Sequence, residues 1–275
     1  MKESSVIKKK TKRNIVVKVG SGLLTNGKGV INYGYLYSLC NQISILEKME
    51  HTVFLVSSGA IASCPNKEWS PNMQAAFGQC GLGWQYMSIF KTFFNMNAAP
   101  ILVTDADFDR AHDEYFAGYT LNNLCNEAIK ERIVLIFNFN DPTSDRETKK
   151  MAKCADNDET AKNICLLPKV EIDYLILGID MPGYVDDQGR VIPTVTIENE
   201  AEYRVFAKGG SELGFRKKGE EKGALTKYNV CCDLAFRHNL KNIIAPGRSE
   251  NFILEAFNRL EKGEKKEIGT LFLPS

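Results

Sequence analysis

The sequence has 275 residues, of which 44% are hydrophobic and 25% charged. That length and balance suit one large domain with a sizeable buried core and exclude a disordered chain. With 35 basic against 34 acidic residues the formal charge is +1, so no net field recruits nucleic acid or an anionic membrane. No apolar run reaches transmembrane length. The basic run Lys8-Lys9-Lys10-Thr11-Lys12-Arg13 reads as part of a solvated tail over residues 1–13. A signal peptide fits it poorly, because Lys18 interrupts the apolar stretch behind it and no small-residue cleavage pattern follows. Cys40, Cys64, Cys80, Cys125, Cys154, Cys165, Cys231 and Cys232 form no CxxC pair, which excludes a zinc or dithiol motif. They read as small buried hydrophobes of a reducing compartment, the cytoplasm.

Along the chain, Asn14–Val19 is a nearly continuous apolar run and predicts a strand buried on both faces. Tyr33–Lys48 carries Leu36, Leu39, Cys40, Ile43 and Leu46 on one side, an amphipathic helix. Strands follow at Thr52–Val56, Pro100–Thr104, Arg132–Phe137 and Asp173–Gly178, separated by helical patterns at Gln74–Phe94 and Tyr115–Glu131. This alternation predicts an α/β fold, a three-layer αβα sandwich around an open, mostly parallel sheet. From Asp180 to Gly223 the rhythm lapses. Met181-Pro182-Gly183, Asp187-Gln188-Gly189 and the charged run Arg216–Lys222 read as hairpins, a short helix and a mobile loop. Thr226–His238 resumes a helix, Asn239 is a left-handed cap, and Asn242–Ala245 is a further strand.

Open parallel sheets bind ligands beyond the carboxyl ends of their strands. After the first strand stand Gly20, Ser21 and Gly22; after the second, Ser57, Ser58 and Gly59; after the fourth, Asn138, Asn140 and Asp141; after the fifth, Ile179 and Asp180. Glycines and small residues at the start of a helix let backbone N–H groups approach an anion, although each turn alone serves equally as a structural tight turn. Lys18 lies inside an apolar strand, so its ammonium must reach solvent or meet an anion. Asp156-Asn157-Asp158-Glu159 precedes an apolar segment, as an acidic helix cap does. Gly223-Ala224-Leu225-Thr226-Lys227 opens a helix with a cation, which the helix dipole disfavours unless an anion is near. There is no Walker A sequence, no HRD or DFG signature, and no histidine placed for a hydrolase triad.

In this order the pieces resemble the amino acid kinase superfamily, and within it the glutamate 5-kinases. The resemblance runs over Val16–Thr25, Val56–Ala62, Ala75–Gln79, Asn138–Asp141, Asp156–Asp158, Thr226-Lys227 and Gly269–Phe272. It implies that Lys18 and Lys227 hold the transferring phosphoryl group and that Asp158 orients both. It implies further that Ser58, Gly59, Asn138, Asp141 and Asn157 bind L-glutamate. ATP with Mg²⁺ would lie against Lys18, Gly20, Ser21, Ile179, Asp180, Gly223, Thr226 and Lys227, with no protein metal cluster. An amino acid lobe (about 14–168), a nucleotide lobe (about 169–275) and a homodimer or tetramer are likewise implied. A carboxylate with an unperturbed pKa of about 4.3 is already a nucleophile at neutral pH, so the scarcity of histidine is no obstacle.

The sequence departs from the family in four places, one of them Ile179, which stands where a threonine is usual beside Asp180. Glu220-Glu221-Lys222-Gly223-Ala224 stands where the family has Gly-Thr-Gly-Gly-Met, Phe139 replaces an acidic residue, and Ser63–Met73 is short for the loop over the amino acid. Another carboxylate or carbamate acceptor, or a non-catalytic ligand-binding relative, therefore stays open at this point.

Overall fold

A computed structural model of the chain describes residues 12–26, 30–112, 121–142, 157–209, 220–263 and 268–274. Strands β1 (Asn14–Val19), β2 (Thr52–Ser57), β3 (Ala98–Val103), β4 (Val134–Phe139) and β5 (Tyr174–Ile179) join β6 (Thr194–Val195), β7 (Lys241–Pro246) and β8 (Thr270–Phe272). They form one sheet in the order β3-β4-β2-β1-β5-β7-β8-β6. All pairings are parallel except β7 with β8.

Period-two alternation along each strand separates two cores. Val16, Phe54, Val56, Leu175 and Leu177 face α7 (Asn157–Cys165) and α9 (Glu220–His238), where Ala161, Ile164, Tyr228 and Cys231 close the layer. Ile15, Val17, Val19, Val53, Leu55 and Ile176 face α2 (Tyr33–Lys48), α4 (Pro71–Phe94) and α10 (Phe252–Lys262). The αβα sandwich expected from the alternation is therefore present. α5 (Asp105–His112), α6 (Leu121–Glu131) and α8 (Glu200–Gly209) extend the first layer, and the one-turn helices α1 (Ser21–Leu24) and α3 (Ala60–Ser63) sit directly after β1 and β2.

The chain leaves β1 toward β2 on one side, while β1 pairs with β5 on the other. The carboxyl ends of β1 and β5 thus flank the point where the winding reverses, the place at which such sheets bind ligands.

Several boundaries differ from expectation for local reasons. α4 starts at Pro71, three residues early, because the Ser70 hydroxyl accepts from Met73 N (3.3 Å) and proline suits the first helical position. β4 runs on to Phe139, so Asn138 is within the strand and not beyond it. α9 begins at Glu220, six residues before the expected start, since Glu, Lys, Ala and Leu of this stretch are strong helix formers. Lys227 is consequently in its third turn, so the dipole mismatch expected of a first-turn cation does not arise. Residues 113–120 and 210–219, which carry parts of the helix expected over Tyr115–Glu131 and of the expected mobile loop, lie outside the described residues. Arg13, assigned to the tail, is tied to the fold through Asp173 (2.9 Å) and Glu261 (2.6 Å). Asn239 has the left-handed backbone expected of it (φ 55°). Cys80 is exposed, whereas Cys40, Cys64, Cys125, Cys165, Cys231 and Cys232 are buried as expected; Cys154 lies outside the described residues. Among the described residues no helix is long and apolar enough to cross a membrane.

Candidate active site

Lys18 shares the strand face of Val16, so its side chain enters the layer of α7 and α9 instead of reaching open solvent. There it meets Asp158, the second residue of α7. Lys18 Nζ lies 2.5 Å from Asp158 Oδ1, and Lys227 Nζ, from α9, lies 2.7 Å from Oδ2. The Asp158 side chain is fully buried and Lys18 is 4% exposed, while Lys227 retains 23% exposure. Burial pushes the Asp158 carboxyl up, but the ammonium groups of Lys18 and Lys227 outweigh it and hold the group below its ordinary value. Two cations against one anion leave a local excess of positive charge at the switch point, suited to receiving an anionic group.

The surrounding candidates fall into four groups. Ser58 joins the end of β1, its N–H donating to Val19 O (3.1 Å), and Gly59 takes a left-handed backbone (φ 103°) open mainly to glycine. Asn157 precedes Asp158 and its Oδ1 accepts from Phe139 N (3.4 Å), which draws α7 onto the end of β4 beside Asp141. Gly20 precedes α1 in an extended conformation, with Ser21 and Gly22 exposed; α1 and α3 each span four residues, so what these turns offer an anion is backbone N–H groups and little helix dipole. Gly223 and Thr226 lie on α9 just ahead of Lys227, with Gly223 one turn away on the same face.

Asn138, Asp180 and Ile179 make their contacts away from the lysine pair. Asn138 faces the opposite side of the sheet, lining a cavity of about 20 Å³ with Ser57, Gln79 and Tyr86. Its Oδ1 accepts from Phe139 N (2.9 Å), and next to it Ser57 Oγ and Tyr86 Oη lie 2.9 Å apart. Asp180, past the end of β5, forms an ion pair with Arg248 (Nη2 to Oδ2 2.6 Å). Ile179 is held to Gly247, whose N–H donates to its carbonyl (2.8 Å).

Arg248 escaped the sequence reading, although the signal was present: it follows the apolar run Asn242–Ala245, at the same sheet edge as the other candidates. A larger cavity of about 450 Å³ lies between α7, α8 and α9. None of the site residues named from the sequence lines it, and its charges pair among themselves, as Lys162 with Asp233 (2.7 Å) and Arg237 with Asp233 (3.1 Å).

A doubly wound sheet whose switch point carries a buried carboxylate clamped by two lysines defines an α/β protein with a positively biased site at that point. The chain belongs to the amino acid kinase family, whose model matches residues 13–246. It is similar to glutamate 5-kinase of Caldanaerobacter subterraneus subsp. tengcongensis, 32% identical over 94% of this chain and 68% of that one. It is also similar to glutamate 5-kinase of Vibrio vulnificus, 28% identical over 95% and 67%. In fold it resembles carbamate kinase from Giardia lamblia bound to AMP-PNP, with a TM-score of 0.61 and 16% identity over 96% of this chain and 99% of that one. UMP kinase from Ureaplasma parvum has a TM-score of 0.56 and 14% identity over 95% and 99%.

Proposed function

We propose that this protein transfers the γ-phosphoryl group of Mg-ATP to the γ-carboxylate of L-glutamate, forming γ-glutamyl phosphate as the first step of proline biosynthesis. The Lys18–Asp158–Lys227 arrangement carries this reading. An acceptor carboxylate and a triphosphate repel one another, and two ammonium groups held at one carboxylate supply the fixed positive charge that the transition state needs. A carboxylate oxygen attacks the γ-phosphorus, the bond to the β,γ-bridging oxygen breaks, and ADP departs with that electron pair. No proton has to be removed from the nucleophile. Asp158 itself stays ionised and orients both lysines.

Mg²⁺ arrives as part of the nucleotide substrate. An ion carried by a nucleotide is held mainly by phosphate oxygens and water. In this reading the half-sheet β3-β4-β2-β1, within about residues 14–168, receives the amino acid through Ser58, Gly59, Asp141 and Asn157, while Asn138, turned to the α4 face, is left out of the acceptor site. The half-sheet β5-β7-β8-β6, within about residues 169–275, receives ATP, with Gly20, Ser21, Ile179, Asp180, Gly223 and Thr226 around it. The buried free cysteines support a reducing, cytoplasmic setting.

ADP release measured with a panel of acceptors tests the assignment. Glutamate should give at least tenfold higher kcat/KM than aspartate, N-acetylglutamate or carbamate, roughly the discrimination that one well-placed polar contact supplies. Turnover with carbamate or another carboxylate alone would contradict glutamate as acceptor. Phe139 favours that second outcome, since this buried phenyl ring stands where the family keeps an acidic side chain.

The protein is also proposed to act as a homo-oligomer, through α4. Met73 (55% exposed), Phe77 (52%), Trp84 (61%) and Met87 (41%) project from one stripe of this helix, completed by Cys80. No charged residue occurs from Pro71 to Phe90, so the stripe can face its own copy without like-charge contacts. In light scattering, Trp84→Glu should convert a mass of two or more chains into that of one. An unchanged mass would remove α4 from the interface.

A further inference from the structure

We propose that Arg248 is a positioning residue for the nucleotide, locking the turn after β1 to the end of β5 across the switch point. Its guanidinium grips the Asp180 carboxylate with two nitrogens, Nε to Oδ1 and Nη2 to Oδ2 (2.6 Å), and Nη2 also donates to Gly22 O (3.1 Å). One side chain from the end of β7 thereby joins the ends of β5 and β1, the segments that carry Asp180, Gly20 and Ser21. The base of the clamp is itself fixed. Gly247 N donates to Ile179 O (2.8 Å), and a Cβ at Gly247 would overlap the side chain of Leu23 in α1. Tyr35 Oη is buried with no hydrogen-bond partner among the described residues, within electrostatic reach of both Arg248 and Asp180.

The chemistry favours positioning over a role in folding. Arg248 and Asp180 side chains are 57% and 51% exposed, and exposed pairs add little to global stability. A planar fork that spans a carboxylate and a carbonyl fixes the relative placement of the two segments, which a lysine cannot do from a single ammonium. Ordering both before ATP arrives removes that cost from binding.

This role rests on the kinase reading above, and binding of Mg-AMP-PNP followed by calorimetry separates the two because it needs no acceptor. Arg248→Ala should weaken nucleotide binding by about tenfold, the scale of a charged hydrogen bond. Arg248→Lys should fall close to Arg248→Ala, and the Arg248→Ala, Asp180→Ala double variant should be no weaker than Asp180→Ala. KM for ATP should rise while KM for the acceptor stays, with melting temperatures near wild type. Wild-type affinity in Arg248→Ala, full rescue by lysine, or additive losses in the double variant would overturn the role. A wild-type chain that binds no nucleotide would overturn the kinase reading together with it.

Discussion

Replacing Lys18 with alanine is expected to lower kcat by about 10²–10³-fold, the range seen when one fixed charge-stabilising donor is removed from a transition state. The acceptor's KM should move by less than about threefold, because the lost interaction is made mainly with the transferring group. Lys18 is the more buried of the two lysines, at 4% exposure against 23% for Lys227, so water replaces its charge less readily. Lys18→Arg should restore little, since a planar guanidinium does not fit a slot shaped for an ammonium 2.5 Å from Asp158 Oδ1. Lys227→Ala should be severe as well, and the double variant should lose far less than the product of the single losses, as groups acting as a unit do. Steady-state kinetics on variants that melt cooperatively provide the check. A Lys18→Ala enzyme within threefold of wild type would remove Lys18 from the chemistry.

Asp158→Asn should damage both activity and stability. The substitution keeps the shape of the side chain but leaves the ammonium groups of Lys18 and Lys227 beside a neutral amide at a fully buried position. Breaking a buried pair by removing one partner costs about 3–5 kcal/mol, and the lower end applies here because Lys227 can turn toward solvent. The pH dependence follows from the depressed folded-state pKa of Asp158. The unfolded carboxyl titrates near its ordinary value of about 3.9, above the folded one, so the unfolded state binds more protons between them. The stabilisation is then complete above that value and lost as pH falls through the folded pKa. Urea denaturation should show a gap between wild type and Asp158→Asn that is constant from neutral pH to about pH 5 and narrows below about pH 4. A gap that widens on acidification would contradict this electrostatic origin.

The sheet was legible because strands buried on both faces are written as short runs of Val, Ile and Leu, as in Ile15–Val17 and Thr52–Val56. The separation of Lys18 from those runs was legible too, as a single charge at a position whose neighbours all pack. What lay beyond periodicity was contact between distant segments. Nothing local to Asp158 or Lys227 states that both close on Lys18; that follows from α7 and α9 packing side by side on the same face of β1. Their place in the ordered set of motifs, carried by the resemblance, brought them forward. β6 and β8, of two and three residues, are too short for any alternation to register. α10 was legible but overlooked, with Phe252, Ile253, Ala256, Phe257 and Leu260 at helical spacing. The placement of Asn138 turned on a strand boundary two residues later than read, which moved its side chain from the rim to the α4 face. Arg248 follows β7 directly, but its partners Asp180 and Gly22 are 68 and 226 residues away in sequence, beyond the reach of any local pattern.

Transfer through the acceptor's own oxygen can be followed directly. Glutamate labelled with ¹⁸O in the γ-carboxylate is incubated with the protein, Mg-ATP and hydroxylamine, which attacks the acyl carbon and releases phosphate. Phosphorus NMR should then show one ¹⁸O in each phosphate released, matched by γ-glutamyl hydroxamate, with both products absent in Lys18→Ala. Phosphate free of ¹⁸O, or ADP formed at the same rate without glutamate, would contradict carboxylate phosphorylation at the Lys18–Asp158–Lys227 site.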